Sequence, residues 1–276
     1  MNRNKLIGRI LIYIAAVIVF VFMIFPIYTV ILQSVQYERD VRTMDMKFIP
    51  NYITLDHFKT IFDPGHIVKI KEAMLNSLII SASTGILAVI IGLLSAYAVS
   101  RLRIKLGNYL LLGMASIYIF PTILFVIPLF ILFVNLDLDD TYLGVILLYT
   151  AFVLPFIIWA LKTFVDAIPI EIDQAARIDG CGLFKIFFYI YLPAMKPGIV
   201  AAFLFAFILS WIEFLTPLVF TNHIKMLTVE LGLYRSTIDI DIGQLAAAAI
   251  VTIMPVVLLT LIFQKLIVQV VTGEDK

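Results

Sequence analysis

Six long stretches almost free of charge decide what this chain can become. They run over residues 11–32, 78–99, 109–134, 142–161, 199–220 and 242–263. Each supplies about the 20 apolar residues that a helix needs to cross a hydrocarbon core. A chain with 62% hydrophobic and 14% charged residues and a mean hydropathy of +1.07 is not a soluble globular domain. The expectation is therefore an all-α membrane protein with six transmembrane helices. Arg3, Lys5 and Arg9 before the first run give it the flank of a signal peptide, but its apolar core is too long and no small-residue cleavage site follows. It is expected to be a retained first helix. Proline lies in or beside five of the six runs (Pro26, Pro121, Pro128, Pro155, Pro217, Pro255). That pattern suits a bundle of bent helices, whose neighbours can satisfy the freed carbonyls.

Basic residues set the expected orientation. With the N-terminus inside, the inner segments carry Arg3, Lys5, Arg9, then Arg101, Arg103, Lys105, then Lys162, Arg177, Lys185, Lys196, then Lys265 and Lys276. The short outer loop 136–141 carries Asp137, Asp139 and Asp140 and no base. Both termini are thus placed in the cytoplasm. The first outer loop, 33–72, is neutral on this count, with six basic residues against six acidic ones.

Chemistry is scarce at membrane depth. Cys181 is the sole cysteine, so no intrachain disulfide or cysteine-based metal site can form. No glycine-rich loop ending in Gly-Lys-Ser/Thr is present to cradle phosphates. His57, His66 and His223 fall in outer loops, and Ser95 in "GLLSAY" is not a hydrolase turn. An intramembrane enzyme would need a base, acid or metal at membrane depth, and a secondary transporter a coupling-ion site at converging broken helices; for either, Glu213 alone is poor support. Glu213 in "SWIEFLTPLVF" is the one charge inside a span. It either lines a polar cavity or is a hydrogen-bonded packing residue; a lone acid with no inner partner makes no proton relay, which favours packing. Ser81, Ser83, Thr84, Ser116, Thr122 and Asn135 pose the same choice between lining a passage and close helix packing.

The longest interruption, residues 171–198, reads "EIDQAARIDGCGLFKIFFYIYLPAMKPG". Pro169 fits a first helical turn, and Glu171 and Asp173 follow where acids complement the helix dipole. A helix through Ile178 should break at Asp179-Gly180, and a second should present Leu183, Phe184, Phe187, Phe188 and Tyr191 on one face. Pro193 and Pro197 should stop that second helix. The resulting helix, turn and helix, outside the membrane core, either floats as an amphipathic hairpin at the headgroups or docks in a partner's groove. Small Ala175 and Ala176 beside an exposed turn favour docking.

These residues resemble the EAA loop of ATP-binding-cassette importer permeases: Gln174-Ala175-Ala176, Asp179-Gly180, Leu192-Pro193, with Lys196-Pro197 beyond. The segments "FIPNYITLDHF", "NSLIISASTG", "SAYAVSRLRIKLGN" and "WIEFLTPLVFTN" extend the likeness, and the chain is identified as similar to the carbohydrate-importer subfamily of the maltose permease's smaller subunit. Gln174 stands where the family has glutamate, and the tail "QKLIVQVVTGEDK" follows the family ending only loosely.

The resemblance implies a type I importer bundle as one permease domain over 1–276, with a coupling loop at about 166–198. It implies docking through Glu171, Asp173, Gln174, Ala175, Ala176, Asp179, Gly180, Leu192 and Pro193. The implied partners are a second homologous permease subunit, two cytoplasmic subunits that bind ATP and Mg, an extracytoplasmic solute-binding protein and membrane lipid, with no nucleic acid. The implied setting is a bacterial or archaeal cell (inner) membrane. The chain itself would bind no cofactor and catalyse no reaction. Its solute would be a sugar or oligosaccharide, with a polyol or glycerophosphodiester as alternatives. Ser83, Tyr97, Tyr118, Trp211 and Glu213 are the candidate pathway residues. Tyr97, Tyr118, Tyr149, Trp159 and Trp211 can stack on sugars, or serve as packing or headgroup aromatics.

Overall fold

The computed structural model describes residues 3–42, 48–50, 52–66, 68–102, 104, 107–234 and 241–272. Arg103, Lys105 and Lys276, used above for orientation, lie outside them. All regular structure among the described residues is helical. Among the described residues, four helices are long and apolar enough to cross a membrane: Gly8–Val35, Ile70–Arg101, Tyr142–Ala167 and Ile242–Leu266. Two further bent pairs bring the number to six if each pair is one span.

The described chain divides into two compact units. One comprises Met1–Lys71 and Glu230–Met254, the other Glu72–Val229 and Pro255–Lys276. In the first unit, the long initial helix has no part of its most apolar stretch buried within the chain. Phe22, for example, is 81% exposed. Such a surface is stable only against lipid or another subunit.

In the second unit two of the expected spans are broken into separate helices, both at proline. The third run is two helices, Tyr109–Ile119 and Ile123–Asn135, bent by 105°. Pro121 explains the break: the residue before a proline is pushed out of the helical region, and Phe120 is extended, at φ −88° and ψ 136°. The fifth run is Lys196–Trp211 followed by a separate short helix, Leu215–Phe220. Pro217 cannot donate to the Glu213 carbonyl, as a continuous helix would require. The Thr228 hydroxyl donates to that carbonyl instead, at 2.7 Å.

The 171–198 stretch also differs from expectation. Its first helix, Ile170–Ile178, ends as foreseen, with Gly180 at φ +80°. The second does not stop at Pro193 and stand apart. Leu183–Ile186 runs through a wide π-type turn over Phe187–Tyr191 into Leu192–Ala194, and then bends by 74° into Lys196–Trp211. Pro193 and Pro197 each sit in the first turn of a following helix, where their missing N–H is no loss. The wide turn also relieves the clash that Pro193 would make in an unbroken α-helix. Nor does the stretch float: Ala176, Ile186, Phe187, Tyr191 and Met195 are buried with Leu93, Ala96, Val153, Ile157 and Leu161 in one hydrophobic core of this unit.

Candidate coupling surface and cavity

Period 3.6 splits the Ile170–Ile178 helix into two faces. Asp173 and Ala176 point inward and are buried, while Glu171, Gln174, Ala175, Asp179 and Gly180 are exposed. Leu192 is half-buried and Pro193 exposed. The residues taken as one docking set therefore separate: Asp173 and Ala176 fasten the stretch to its own bundle, and the others face out.

The fastening is specific. The Tyr191 hydroxyl donates to Asp173 Oδ1 at 2.5 Å, with Tyr191 fully buried and Asp173 5% exposed. The Tyr191 ring meets Tyr97 edge-on at 5.0 Å, and the Arg101 guanidinium lies 5.4 Å over it. Arg101 also donates to the carbonyls of Val165, at 2.7 Å, and Ile168. Both carbonyls lie at the end of the Tyr142–Ala167 helix, where intrahelical donors run out and a cation complements the dipole; that of Val165 also accepts the Ile168 amide at 3.2 Å. On the outward side, Ile178, Phe184 and Tyr189 are 85%, 83% and 79% exposed around the Gly180 turn. Among the described residues, nothing lies within 4 Å of a Cβ built on Gly180 beyond its chain neighbours, so the turn is open to a partner.

In the same unit, a cavity of about 210 Å³ is walled by Tyr118, Phe125, Tyr149, Phe152, Ser210 and Glu213. The Tyr149 hydroxyl donates to Glu213 Oε2 at 3.3 Å, and Tyr118 donates to the Phe152 carbonyl at 2.6 Å. Glu213 is held from behind. The amides of Leu215 and Thr216 donate to its carboxylate at 3.2 and 2.9 Å, so it caps the short helix that follows the break. Aromatic walls with a few converging hydroxyl and carboxylate groups are the chemistry that holds a polyhydroxylated molecule.

Of the candidate pathway residues, Tyr118 and Glu213 meet in this cavity. Trp211 is enclosed, stacked on Phe207 at 5.5 Å and 15°. Tyr97 is buried against Phe187 and Tyr191 and is not part of the cavity wall. Ser83 is half-buried on the Ile70–Arg101 helix and is not part of the cavity wall. Sequence reasoning passed over Phe125, Phe152 and Ser210, whose apolar or small character gives no signal apart from the fold.

Asp140 was read only as part of an acidic loop, yet it is an anchor. Its backbone is left-handed at φ +49°. Its carboxylate accepts the amides of Asn222, His223 and Ile224 at 2.9, 3.0 and 3.1 Å, and His223 Nδ1 at 2.5 Å. Burial alone would raise its pKa, but these donors outweigh it and hold the carboxyl down at about 2. The loop is thereby clamped to the segment after Phe220.

Residues 88–273 match the family described as binding-protein-dependent transport system inner membrane component. The chain is 30% identical over 268 residues to the inner membrane ABC transporter permease protein YcjP of Escherichia coli, covering 96% of this chain and 95% of that one. It is 36% identical over 234 residues to the trehalose transport system permease protein SugB of Mycobacterium tuberculosis, covering 83% and 84%. With the trehalose/maltose transport system permease protein MalG of Thermococcus litoralis it shares 30% identity over 275 residues, covering 98% of each. The fold matches a crystal structure of a bacterial ABC transporter involved in the import of the acidic polysaccharide alginate, at TM-score 0.79 and 19% identity, over 96% and 98% of the two chains. By sequence match along two thirds of its length, and with a bundle of the type I importer kind, this chain belongs to the binding-protein-dependent transport system inner membrane component family, as a non-catalytic, multi-pass permease subunit of an ABC importer.

Proposed function

We propose that the chain forms half of the translocation pathway for a sugar or oligosaccharide. A second homologous permease supplies the other half, and an extracytoplasmic binding protein delivers the solute. Two cytoplasmic subunits bind ATP with Mg and drive the cycle. Both termini are cytoplasmic, and the outward face of residues 171–180, with Ile178 and Phe184, seats in an ATPase groove. ATP-driven closure of the ATPases then shifts the permease pair between inward-open and outward-open states. The named relatives, which include trehalose and trehalose/maltose permeases, and the cavity of Tyr118, Tyr149 and Glu213 support a carbohydrate solute.

The observation that carries the coupling role is the open turn at Gly180, φ +80°, between exposed apolar side chains. Gly180→Val forces a branched side chain into that conformation, at about 1–3 kcal/mol, and fills the space a partner must occupy. In the reconstituted transporter the variant inserts and assembles with its partner permease but loses transport and solute-stimulated ATP hydrolysis together. Crosslinking to the ATPase reports the docking directly. The probe belongs at Ala175→Cys, which is exposed, and not at Ala176, which is buried. Wild-type transport and crosslinking in Gly180→Val would refute docking through this turn.

A further inference from the structure

We propose that Glu38, His57 and Asp241, all within the first unit, form a binding site for a divalent transition-metal ion of the zinc class. One ligand atom from each residue lies within 4.8 Å of the other two. They come from three separate pieces of chain: the Glu38–Val41 turn, the Asp56–Ile61 helix and the residue before the Ile242–Thr272 helix.

His57 is the informative member. It is 8% exposed, and its Nε2 lies 2.8 Å from the Gln36 carbonyl. A carbonyl only accepts, so Nε2 donates to it, and Nδ1 is the ring nitrogen that faces the carboxylates. That is the outer-shell arrangement which orients histidine ligands in metal sites. Nδ1 stands 3.5 Å from Asp241 Oδ1. This is too long for a sound hydrogen bond, yet it is close to the roughly 3.3 Å that separates two ligands on a tetrahedral ion with bonds of about 2.0–2.1 Å.

Both carboxylates are held in place from outside the cluster. Gln244 donates its amide and side-chain N–H groups to Asp241 at 2.8 Å each. Gly243 N donates to Glu38 Oε2 at 3.1 Å and Arg42 Nε to Oε1 at 2.6 Å. Gly243 is also required sterically, because a Cβ there would overlap the His57 ring. One imidazole and two carboxylates, with water as fourth ligand, suit zinc-class ions and are a poor set for calcium or magnesium, which take oxygen ligands. A bound ion would pin the segment after the first helix to the start of the last.

The test uses the full transporter in detergent, stripped with a chelator and titrated with Zn²⁺ or Co²⁺. Wild type takes up one additional ion per copy of this chain relative to His57→Ala, and Zn²⁺ raises its thermal midpoint. Loss of a ligand in His57→Ala or Asp241→Asn weakens binding by at least the roughly 10–100-fold that loss of outer-shell partners costs. In case these variants fold poorly, His57→Cys retains a ligand and should give a thiolate-to-Co²⁺ charge-transfer band that wild type, with Cys181 only, does not show. Equal ion uptake by wild type and His57→Ala, or a Co²⁺ spectrum unaltered by His57→Cys, overturns the site.

Discussion

Tyr191→Phe removes one oxygen atom from the core, and its consequence can be worked out from what remains. The ring keeps its edge contact with Tyr97 and its place under Arg101, so little apolar burial is lost. What disappears is the donor to Asp173, a buried residue at 5% exposure whose carboxyl group has little access to bulk water. A buried acceptor stripped of its partner costs roughly 1.5–3 kcal/mol when the group is chargeable. Since about 1.4 kcal/mol is a tenfold change in an equilibrium, the Ile170–Ile178 helix should open about 10–100 times more often. Native-state hydrogen exchange measures this directly. Amides of Ile170–Ile178 should exchange faster by that factor in Tyr191→Phe, while those of Tyr142–Ala167 keep their wild-type rates. A double-mutant cycle with Asp173→Ala should give non-additive effects of similar size. Two results would refute the reasoning: unchanged exchange across Ile170–Ile178, or equal acceleration in both helices, which would mean global loosening and no specific tie.

Asp140→Asn should lower stability by about 1–2 kcal/mol at neutral pH, after allowing for solvent screening. The folded carboxyl sits at about 2, below its ordinary 3.8, so its contribution is fully present above about pH 4 and is lost as pH falls toward 2. Thermal unfolding of the two proteins should therefore converge in acid; a constant difference would disprove the clamp. Glu213→Gln keeps one of the two acceptor oxygens, enough for the Thr216 amide and the Tyr149 hydroxyl that share Oε2 though not for Leu215 on Oε1, and should retain most transport, whereas Glu213→Leu should lose much of it in folded protein. Severe loss in Glu213→Gln alone would instead implicate a proton at this site.

The spans were legible because hydrophobic length is a local property, and four of the six runs form unbroken membrane-length helices. The breaks were half legible. Proline marks where a helix is in difficulty, but whether the helix continues through it, as at Pro155 within Tyr142–Ala167, or separates into two, as at Pro121, depends on the surrounding packing and on what takes up the freed carbonyl. That partner can be distant: Thr228 is fifteen residues from the Glu213 carbonyl it satisfies. The same limit hid the tie between Asp173 and Tyr191. Its ends are eighteen residues apart and were assigned to a helix N-terminus and an apolar face, each a sound local reading.

Glu213 shows why the choice between lining and packing could not be made from one residue type. The helix break at Pro217 creates unsatisfied amides at Leu215 and Thr216, and a carboxylate just before them is the natural acceptor. That need alone accounts for a charge at membrane depth. Yet the break also turns the side chain toward Tyr149, and Oε2, which accepts from Thr216, is the oxygen that meets the tyrosine hydroxyl at the cavity wall. Capping fixes the carboxylate, and fixing it is what makes it useful to a solute, since a preoriented acceptor loses little freedom when a hydroxyl group binds. The packing and lining readings therefore describe two sides of one group. A substitution that keeps one capping oxygen while removing the charge, such as glutamine, is the one that separates them.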